Sequence, residues 1–272
     1  MFDLNNKIVI ITGAAGLLGK QYVEAIIQYN GIPILLDINK KDLSLFLKIV
    51  KKKYPKTKAI SYVVDITKEE EIINCCNTII KKFGKIDCVI NNAANNPKVE
   101  SNSNQLFSRL ENFPIEVWNK DIEVGLTGTF LCIKHFGTEI SKNPNGGSIV
   151  NISSDLGLIA PDQSLYSIVG RKYNEQPVKP ITYSVVKTAI IGITRYIATY
   201  WPEKNVRCNA ICPGGVENNQ NDDFKSELIK RIPLGRMANK NEFQGLLIYL
   251  LSDASSYITG SIIAADGGRS TW

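Results

Sequence analysis

The chain of 272 residues is predicted to fold as one α/β domain, residues 1–272, around a doubly wound parallel sheet. Short apolar runs rich in β-branched residues alternate with segments whose apolar residues recur at helical spacing. The first run, residues 8–11, is apolar throughout, as expected for a strand buried on both faces of a parallel sheet. No repeat, linker or change of composition predicts a second domain.

The composition argues against nucleic acid and membranes as partners. Hydrophobic residues make up 44% and charged residues 21% of the chain, which is ordinary for a globular protein. The net charge of +6 comes mainly from scattered lysines without interleaved aromatic residues, which favours solvated helix faces over nucleic-acid binding. Neither a signal peptide nor a membrane-spanning run is visible. We therefore expect a cytoplasmic protein that binds neither nucleic acid nor a membrane.

The cysteines predict no metal site. They stand at positions 75, 76, 88, 132, 208 and 212 without a Cys-x-x-Cys pair, and His135 is the only histidine. Cys88 and Cys132 lie in apolar runs, as buried thiols do, which suits a reducing compartment.

A glycine-rich turn follows the first strand. It reads Thr12-Gly13-Ala14-Ala15-Gly16-Leu17-Leu18-Gly19 and leads into a helical segment, residues 20–29. This arrangement binds a pyrophosphate, because glycine lets the backbone approach and the helix N-terminus supplies free N–H groups. The predicted cofactor-binding residues are Gly13, Gly16, Leu17, Leu18 and Gly19. A tight turn of small residues is the alternative.

The second strand, residues 32–36, runs directly into Asp37. A carboxylate at this place accepts hydrogen bonds from the adenosine ribose hydroxyls and repels a 2′-phosphate, so Asp37 predicts NAD as the cofactor. The nearest cations are Lys40 and Lys41, and no arginine follows Asp37 directly. A cap for the next helix is the alternative role of Asp37.

The alternation of strands and helices continues to the C-terminus. Strands are predicted at 59–64, 88–90, 147–154, 206–212 and 261–265, and helices at 43–50, 72–83, 118–140, 183–200, 224–231 and 241–251. A polar loop is predicted at 95–114. Ligands of such a sheet bind beyond the carboxyl ends of the strands.

Tyr183 and Lys187 stand four positions apart at the start of a helical segment, so their side chains share one face. An ammonium group beside a phenol favours the phenolate and lowers a pKa that is normally about 10. Such a tyrosine can exchange a proton with a substrate hydroxyl or carbonyl near neutral pH. An ordinary surface lysine would give the same spacing.

Together these residues resemble the short-chain dehydrogenase/reductase family over essentially the whole chain. The matching pieces, in family order, are Thr12 to Gly19, Asp65, Asn91-Asn92-Ala93-Ala94, Ser154, Tyr183 with Lys187, Pro213-Gly214-Gly215-Val216, Thr259-Gly260 and Asp266-Gly267-Gly268. The resemblance implies a Rossmann fold, a nicotinamide cofactor, and hydride transfer at a carbon that bears oxygen. It also implies a homodimer or homotetramer, paired through the helices at 118–140 and 183–200 and through the C-terminal segment.

The resemblance implies that Ser154, Tyr183 and Lys187 are the catalytic residues. Tyr183 would be the general acid/base, Lys187 would hold the nicotinamide ribose and depress the tyrosine pKa, and Ser154 would hydrogen-bond the substrate oxygen. The implied cofactor contacts are Tyr183 and Lys187 themselves, Asp65 at the adenine, Asn91 beside the cofactor, Val216 at the nicotinamide amide, and Ile66, Ala93, Pro213 and Gly214.

Three positions depart from the family pattern. Leu17 follows Gly16 where the shorter branch of the family has a glycine, and this spacing resembles the sugar-nucleotide-modifying branch. Asn218 stands where a threonine often binds the cofactor amide. Gly125 replaces the asparagine that usually completes the proton relay. We expect Gly125→Asn to leave the activity nearly unchanged.

Residues 155–182 form an insert between Ser154 and Tyr183 that exceeds the usual gap in the resembling family. Tyr166 and Tyr173 lie within it, but neither has a lysine four positions later. We expect the insert to form a lid or pocket wall, with Arg171 and Lys172 available for an anionic group. The alternative is a surface loop that packs against a neighbouring subunit.

The leading hypothesis is an NAD-dependent oxidoreductase of a small polar or sugar-like secondary alcohol or ketone, with a possible place in surface-glycan sugar synthesis. The polar loop and the insert motivate the choice of substrate. One alternative is a 3-oxoacyl-thioester reductase, which usually uses NADPH and is therefore disfavoured by Asp37. The other is a non-catalytic dinucleotide-binding subunit, suggested only by the loss of the relay asparagine.

Overall fold

The computed structural model describes residues 1–95 and 107–272. Its strands are β1 (Ile8–Thr12), β2 (Ile32–Asp37), β3 (Ile60–Val63), β4 (Cys88–Asn91), β5 (Gly147–Ile152), β6 (Val206–Pro213) and β7 (Ile262–Ala265). They form one parallel sheet in the order β3-β2-β1-β4-β5-β6-β7. The chain order reverses between β1 and β4, which confirms the prediction of a doubly wound parallel sheet.

The helices occupy nearly the predicted segments. They are α1 (Leu17–Gln28), α2 (Lys40–Lys53), α3 (Glu69–Phe83), α4 (Ile115–Ile122), α5 (Gly128–Cys132), α6 (Thr138–Ile140), α7 (Ile181–Tyr200), α8 (Asp222–Ile229) and α9 (Gln244–Leu251). Two π-helical turns, Glu123–Thr127 and Ile133–Gly137, join α4 to α5 and α5 to α6. The segment predicted as one helix at 118–140 is therefore helical throughout, with two wider turns.

The alternation of side chains along β1 explains why the strand is apolar throughout. Val9 and Ile11 face one core layer, which α1, α2 and α9 cover. Ile8 and Ile10 face the opposite layer, which α3, α5 and α7 cover. A parallel sheet with helices on both faces needs an apolar residue at every strand position.

The largest departures from the predicted elements lie beyond β5. This strand ends at Ile152, and the insert contains only short 3₁₀ turns: Asp155–Gly157, Gln163–Tyr166 and Tyr173–Glu175. Residues 96–106 of the predicted loop lie outside the described residues. Within the described part of the chain, no helix has both the length and the apolar character that crossing a bilayer requires.

Candidate active site

A cavity of about 580 Å³ runs along the carboxyl edge of the sheet, where the strand order reverses. The turn after β1 and the end of β2 bound one end of it, and Ser154, Tyr183 and the insert bound the other. The predicted site residues that line it are Gly13, Gly16, Leu17, Leu18, Asp37, Ile66, Ala93, Ser154, Tyr183, Lys187, Pro213, Gly214 and Val216. The structure therefore brings most of the predicted residues together around one space.

The turn between β1 and α1 requires its glycines. Gly13 has a φ of +63°, and a Cβ there would lie 2.9 Å from the Ala93 Cα. A Cβ on Gly19 would lie 2.2 Å from the Gly13 carbonyl oxygen, so Gly19 packs beneath the turn instead of lining the cavity. Gly16 is the N-cap of α1, whose first N–H groups are free of intrahelical partners. This cradle fits the pyrophosphate of a dinucleotide.

Asp37 lies at the cofactor end of the cavity and also holds the glycine turn. Its Oδ2 accepts a hydrogen bond from the Ala15 N–H at 2.9 Å, and its Oδ1 accepts one from the Asn39 N–H at 2.9 Å. Asn39, not Asp37, is the N-cap of α2, so the alternative role as a helix cap falls to its neighbour. A carboxylate has about four acceptor positions, which leaves two for ribose hydroxyls.

Asp65 and Asn91 do not line the cavity. Asp65 Oδ1 accepts hydrogen bonds from the N–H and Oγ1 of Thr67, at 2.9 and 2.7 Å. Its neighbours Val64 and Ile66 line the cavity instead. Asn91 Nδ2 donates to Asn151 Oδ1 at 2.7 Å, and its own buried Oδ1 has no hydrogen-bond partner within residues 1–95 and 107–272.

Lys187 is buried, and its ammonium donates to the Ile152 carbonyl oxygen at 2.9 Å. The Nζ lies 5.8 Å from the centre of the Tyr183 ring. Burial lowers the pKa of Lys187 to about 8, and the nearby Lys179 cation acts in the same direction. The two predicted partners therefore do share one face, at the foot of the cavity.

Burial raises the pKa of Tyr183, whereas the sequence predicted a lowered pKa. The Ser154 hydroxyl beside the phenol acts in the opposite direction, and the Asp155 charge adds to the rise. The physical reason is that burial disfavours the phenolate. In this structure the Lys187 ammonium is directed at a backbone carbonyl and does not outweigh that effect.

Lys179 and a buried ion pair complete the substrate end, and sequence reasoning did not single them out as site residues. Lys179 Nζ lies 3.9 Å from the centre of the Tyr183 ring, and burial lowers its pKa to about 8. Ser154 Oγ donates to Asp155 Oδ1 at 2.8 Å, and Arg269 Nη1 donates to Asp155 Oδ2 at 2.6 Å. Arg269 comes from the C-terminal end of the chain, so no local pattern indicated it.

The insert forms one wall of the cavity. Its turn Gln163–Tyr166 places Leu165 and Tyr166 in the lining, and the Tyr166 ring lies 5.7 Å from that of Phe224. Arg231, two residues beyond the end of α8, binds Asp162 of the insert through Nε at 2.6 Å. Arg171 and Lys172, predicted to be available for an anionic group, do not line the cavity; Lys179, Lys187 and Arg269 are the basic residues in its lining at this end.

Gly125 lets α7 approach the helix that contains it. A Cβ on Gly125 would lie 2.5 Å from the Val186 Cγ1, and Val186 is buried. A side chain at position 125 therefore requires Val186 to move, which costs stability. The expectation that Gly125→Asn leaves the activity nearly unchanged stays a prediction. Gly125 and Lys187 also border a separate cavity of about 10 Å³, close to the volume of one water, next to the buried Asp121 carboxylate.

Metal ions in proteins are held by clusters of His, Cys, Asp and Glu side chains. Within 1–95 and 107–272, no group of three or more His, Cys, Asp or Glu residues is placed to hold a metal ion. The cavity instead combines a dinucleotide cradle with a tyrosine, a lysine and a serine at a position where a proton can be transferred.

Comparison with known proteins agrees with this geometry. A family model described as Enoyl-(Acyl carrier protein) reductase matches residues 13–270. The NAD-dependent glycerol dehydrogenase of Listeria innocua is 30% identical, covering 98% of this chain and 95% of that protein. The 3-oxoacyl-[acyl-carrier-protein] reductase FabG of Thermotoga maritima is also 30% identical, covering 97% and 98%. A solved structure of NAD⁺-bound xylitol dehydrogenase is 26% identical, with a TM-score of 0.83 and coverage of 97% and 99%.

The fold and the site thus define a nicotinamide-dependent oxidoreductase. The chain belongs to the short-chain dehydrogenase/reductase family and is an enzyme, as the resemblance in the sequence predicted.

Proposed function

We propose that this enzyme transfers hydride between NAD and a small, polar or sugar-like secondary alcohol or ketone. One observation carries the proposal: a single cavity has Asp37 at one end and Tyr183, Lys187 and Ser154 at the other. The first feature favours a cofactor without a 2′-phosphate. The second provides a proton donor and acceptor beside the place where the substrate oxygen would lie.

The residues present fit NAD. The glycine cradle and the start of α1 would hold the pyrophosphate, Asp37 the adenosine ribose, and Lys187 the nicotinamide ribose. When bound, the nicotinamide ring supplies the hydride chemistry. Val216 and Pro213, from the end of β6, would orient that ring.

The protein supplies the proton transfer. Tyr183 Oη would accept the hydroxyl proton during oxidation of the alcohol and return it to the carbonyl oxygen during reduction. The Lys187 ammonium would favour the phenolate, opposing the effect of burial on the tyrosine pKa. Ser154 Oγ would hydrogen-bond the reacting oxygen and stabilise the charge that develops there.

The lining of the substrate end supports a polar substrate. Asp155, Lys179 and Arg269 line it together with apolar residues that include Leu165 and Phe224. The glycerol dehydrogenase named above supports a polyol-like substrate by similarity. A place in surface-glycan sugar synthesis belongs to the same proposal and is supported by the spacing of the glycine turn.

One alternative remains as an outcome of the test, and the other does not, because the chain belongs to a family of enzymes. A 3-oxoacyl-thioester reductase is supported by the similarity to FabG, but Asp37 disfavours the NADPH that such enzymes usually use. A non-catalytic dinucleotide-binding subunit is disfavoured because Ser154, Tyr183 and Lys187 are all present and close together.

The test is a screen of sugars, polyols and oxoacyl thioesters with both nicotinamide cofactors. The fluorescence of the reduced nicotinamide measures the turnover of each compound. We expect turnover of polar secondary alcohols with a higher kcat/KM for NAD than for NADP. A preference for NADP in the unmutated enzyme would contradict the proposed cofactor. Turnover confined to oxoacyl thioesters would support the FabG-like alternative, and cofactor binding without turnover of any of these compounds would contradict the proposed substrate class.

We further propose that the enzyme works in the cytoplasm as a homodimer or homotetramer. Its six cysteines are free and buried, as in proteins of reducing compartments. Exposed apolar side chains on the helices proposed to pair, Phe130, Tyr196 and Tyr200, support a subunit contact there. Light scattering at micromolar concentration tests the assembly, and a monomer would contradict it.

A further inference from the structure

A nearly buried ion pair lies inside the cavity, next to the residue expected to bind the reacting oxygen. Asp155 is 3% exposed and Arg269 is 7% exposed, and both line the cavity. Hydrogen bonds join the two residues to Ser154: Ser154 Oγ to Asp155 Oδ1 at 2.8 Å, then Asp155 Oδ2 to Arg269 Nη1 at 2.6 Å. Any substrate that reaches Ser154 therefore lies beside this pair.

Stability alone does not account for the pair. Removing two charges from water costs about as much as their attraction returns, and apolar residues of similar volume often serve as well. The surrounding backbone is nevertheless arranged to present Arg269. Gly268 has a φ of +87°, and Asp266 accepts hydrogen bonds from the Gly268 and Ser270 N–H groups at 3.0 and 2.8 Å. This turn places the guanidinium at the cavity.

The pair has hydrogen-bonding capacity that the described residues, 1–95 and 107–272, do not use. A guanidinium has five N–H donors, and within the part of the chain that the structure describes Asp155 is the acceptor of its hydrogen bond. Asp155 accepts from Ser154 Oγ, from the Leu156 N–H and from Arg269, out of about four acceptor positions on a carboxylate. Unused N–H donors of Arg269 and an unused acceptor position of Asp155 therefore lie next to each other, and both residues are linked to Ser154 by hydrogen bonds.

We propose that Asp155 and Arg269 bind a hydroxyl on the carbon next to the reacting carbon, so that the substrate is a neutral vicinal diol or the corresponding α-hydroxyketone. This inference rests on the proposed dehydrogenase function. A hydroxyl both donates and accepts, which matches a carboxylate beside a guanidinium. A substrate carboxylate at the same place would be repelled by Asp155 and would compete with it for Arg269. The other cations of this end, Lys179 and Lys187, lie beside the Tyr183 ring.

The neighbouring hydroxyl also affects the chemical step. Ser154 has one proton, and in this structure it donates that proton to the Asp155 carboxylate. Asp155 Oδ1 already accepts from Ser154 Oγ and from the Leu156 N–H, so a substrate hydroxyl that donates to this oxygen displaces the Ser154 hydroxyl. The Ser154 proton is then directed at the reacting oxygen. The second hydroxyl therefore raises kcat as well as lowering KM.

A matched series of alcohols tests this in the unmodified enzyme with NAD⁺. Propan-2-ol, 1-methoxypropan-2-ol, propane-1,2-diol and lactate share one reacting centre and differ in a single substituent. We expect kcat/KM for the diol to exceed that for propan-2-ol by about 100-fold or more, because a site built for a hydroxyl rejects the analogue that lacks it. The ether oxygen of 1-methoxypropan-2-ol accepts hydrogen bonds but cannot donate one. Its kcat/KM should therefore lie between those of propan-2-ol and the diol, and its kcat should equal that of propan-2-ol.

Equal kcat/KM for the diol and propan-2-ol would overturn the inference. So would a higher value for lactate, which would show that the pair binds a carboxylate. Cyclohexanol and trans-cyclohexane-1,2-diol repeat the comparison on a larger skeleton. If no alcohol in either series reduces NAD⁺ or NADP⁺, the proposed dehydrogenase function itself fails. If all are oxidised without preference, only the inference about the diol fails.

A double variant, Asp155→Asn with Arg269→Gln, removes both charges and so leaves neither one buried alone. We expect the diol to propan-2-ol ratio of kcat/KM to fall by about tenfold or more, because neutral hydrogen bonds discriminate less than charged ones. Arg236→Gln is the matched control, since Arg236 pairs with Glu242 outside this cavity and should keep the wild-type ratio. Thermal unfolding and NADH fluorescence verify folding and cofactor binding.

A folded double variant that keeps the wild-type ratio would contradict the proposal. If the double variant does not fold, Arg269→Lys serves instead, because it keeps the charge and loses the planar donor set. It should lower the same ratio, and an unchanged ratio would contradict the proposal equally.

Discussion

The two ends of the cavity are built in different ways. The cofactor end consists of the turn after β1, the end of β2 and apolar residues that include Val64 and Ile66, and Asp37 contributes a carboxylate. The substrate end consists of the end of β5, the insert, α8 and the C-terminal turn. Its contacts join distant parts of the chain: Asp155 and Arg269 are 114 positions apart, and Asp162 and Arg231 are 69 apart.

This difference shows where the enzyme can change its specificity. The cofactor end depends on glycines without room for a Cβ, so a substitution there disturbs the backbone. The substrate end depends on side chains carried by loops and short helices on a rigid sheet, where changes are tolerated and alter what binds. We expect variants at the cofactor end to change which cofactor is used, and variants at the substrate end to change the substrate or the proton transfer.

The largest effect should come from the tyrosine that joins the two ends. Tyr183→Phe removes the phenol that exchanges the proton, so we expect kcat to fall by about 10²–10⁴-fold. Cofactor binding, measured by NADH fluorescence, should remain. Tyr166→Phe is the matched control because Tyr166 also lines the cavity but has no lysine on its face, and it should alter at most KM. If Tyr166→Phe were the inactive variant, the placement of the active site would be wrong.

The cofactor end is tested separately by Asp37→Ser. The serine cannot repel a 2′-phosphate and makes weaker, uncharged hydrogen bonds to a ribose. We expect the ratio of kcat/KM for NAD over NADP to fall by about 10- to 100-fold, the equivalent of one charged hydrogen bond. The ratio between two alcohol substrates should not change. A variant that altered the alcohol ratio as strongly as the cofactor ratio would break the proposed separation between the two ends.

The same division explains what the sequence could predict. Strand positions depend on residues close together in the chain, and the structure confirms the sheet that their local patterns predicted. The glycine turn and Asp37 line the cavity as expected, and their contacts with the cofactor stay predictions. Asp65 was expected at the adenine; its side chain hydrogen-bonds Thr67 while its neighbours Val64 and Ile66 line the cavity, and the contact with the adenine stays a prediction. Arg269 and Tyr166 reach the site only through packing between distant segments, which no local pattern encodes. The direction of the Tyr183 pKa shift depends on burial in the folded chain, which the spacing to Lys187 could not reveal.

A smaller effect, on the free energy of unfolding, is expected at Gly125, where α7 packs closely against the neighbouring helix. Gly125→Asn places a Cβ against Val186, and such overpacking costs about 1–3 kcal/mol of the free energy of unfolding. Adding Val186→Ala to Gly125→Asn should restore most of the lost stability. Gly245→Asn is the control, because a Cβ on that helical glycine meets nothing within 4 Å. Urea denaturation measures all four proteins, and a Gly125→Asn variant as stable as wild type would show that α7 can shift without cost.

The smallest effect concerns the attachment of the insert to α8. Arg231 binds Asp162 through Nε at 2.6 Å and Ser164 Oγ through Nη2 at 3.0 Å, so Arg231→Gln releases the wall that carries Tyr166. Partly exposed ion pairs contribute up to about 1 kcal/mol, so we expect KM for the alcohol to rise by about fivefold at most, with kcat nearly unchanged.

The pH dependence of this attachment has a definite sign. Hydrogen bonds from Ser164 and Arg231 lower the pKa of Asp162 to about 2, so the ion pair is present above the ordinary aspartate pKa and is lost only as the pH falls towards 2. The KM difference between Arg231→Gln and wild type should therefore be the same at pH 6 and pH 8. Arg236→Gln, which removes an ion pair outside the insert, should leave KM unchanged. Equal KM values in all three proteins would mean that the insert keeps its position without Arg231, and that the substrate end is less dependent on distant contacts than its architecture suggests.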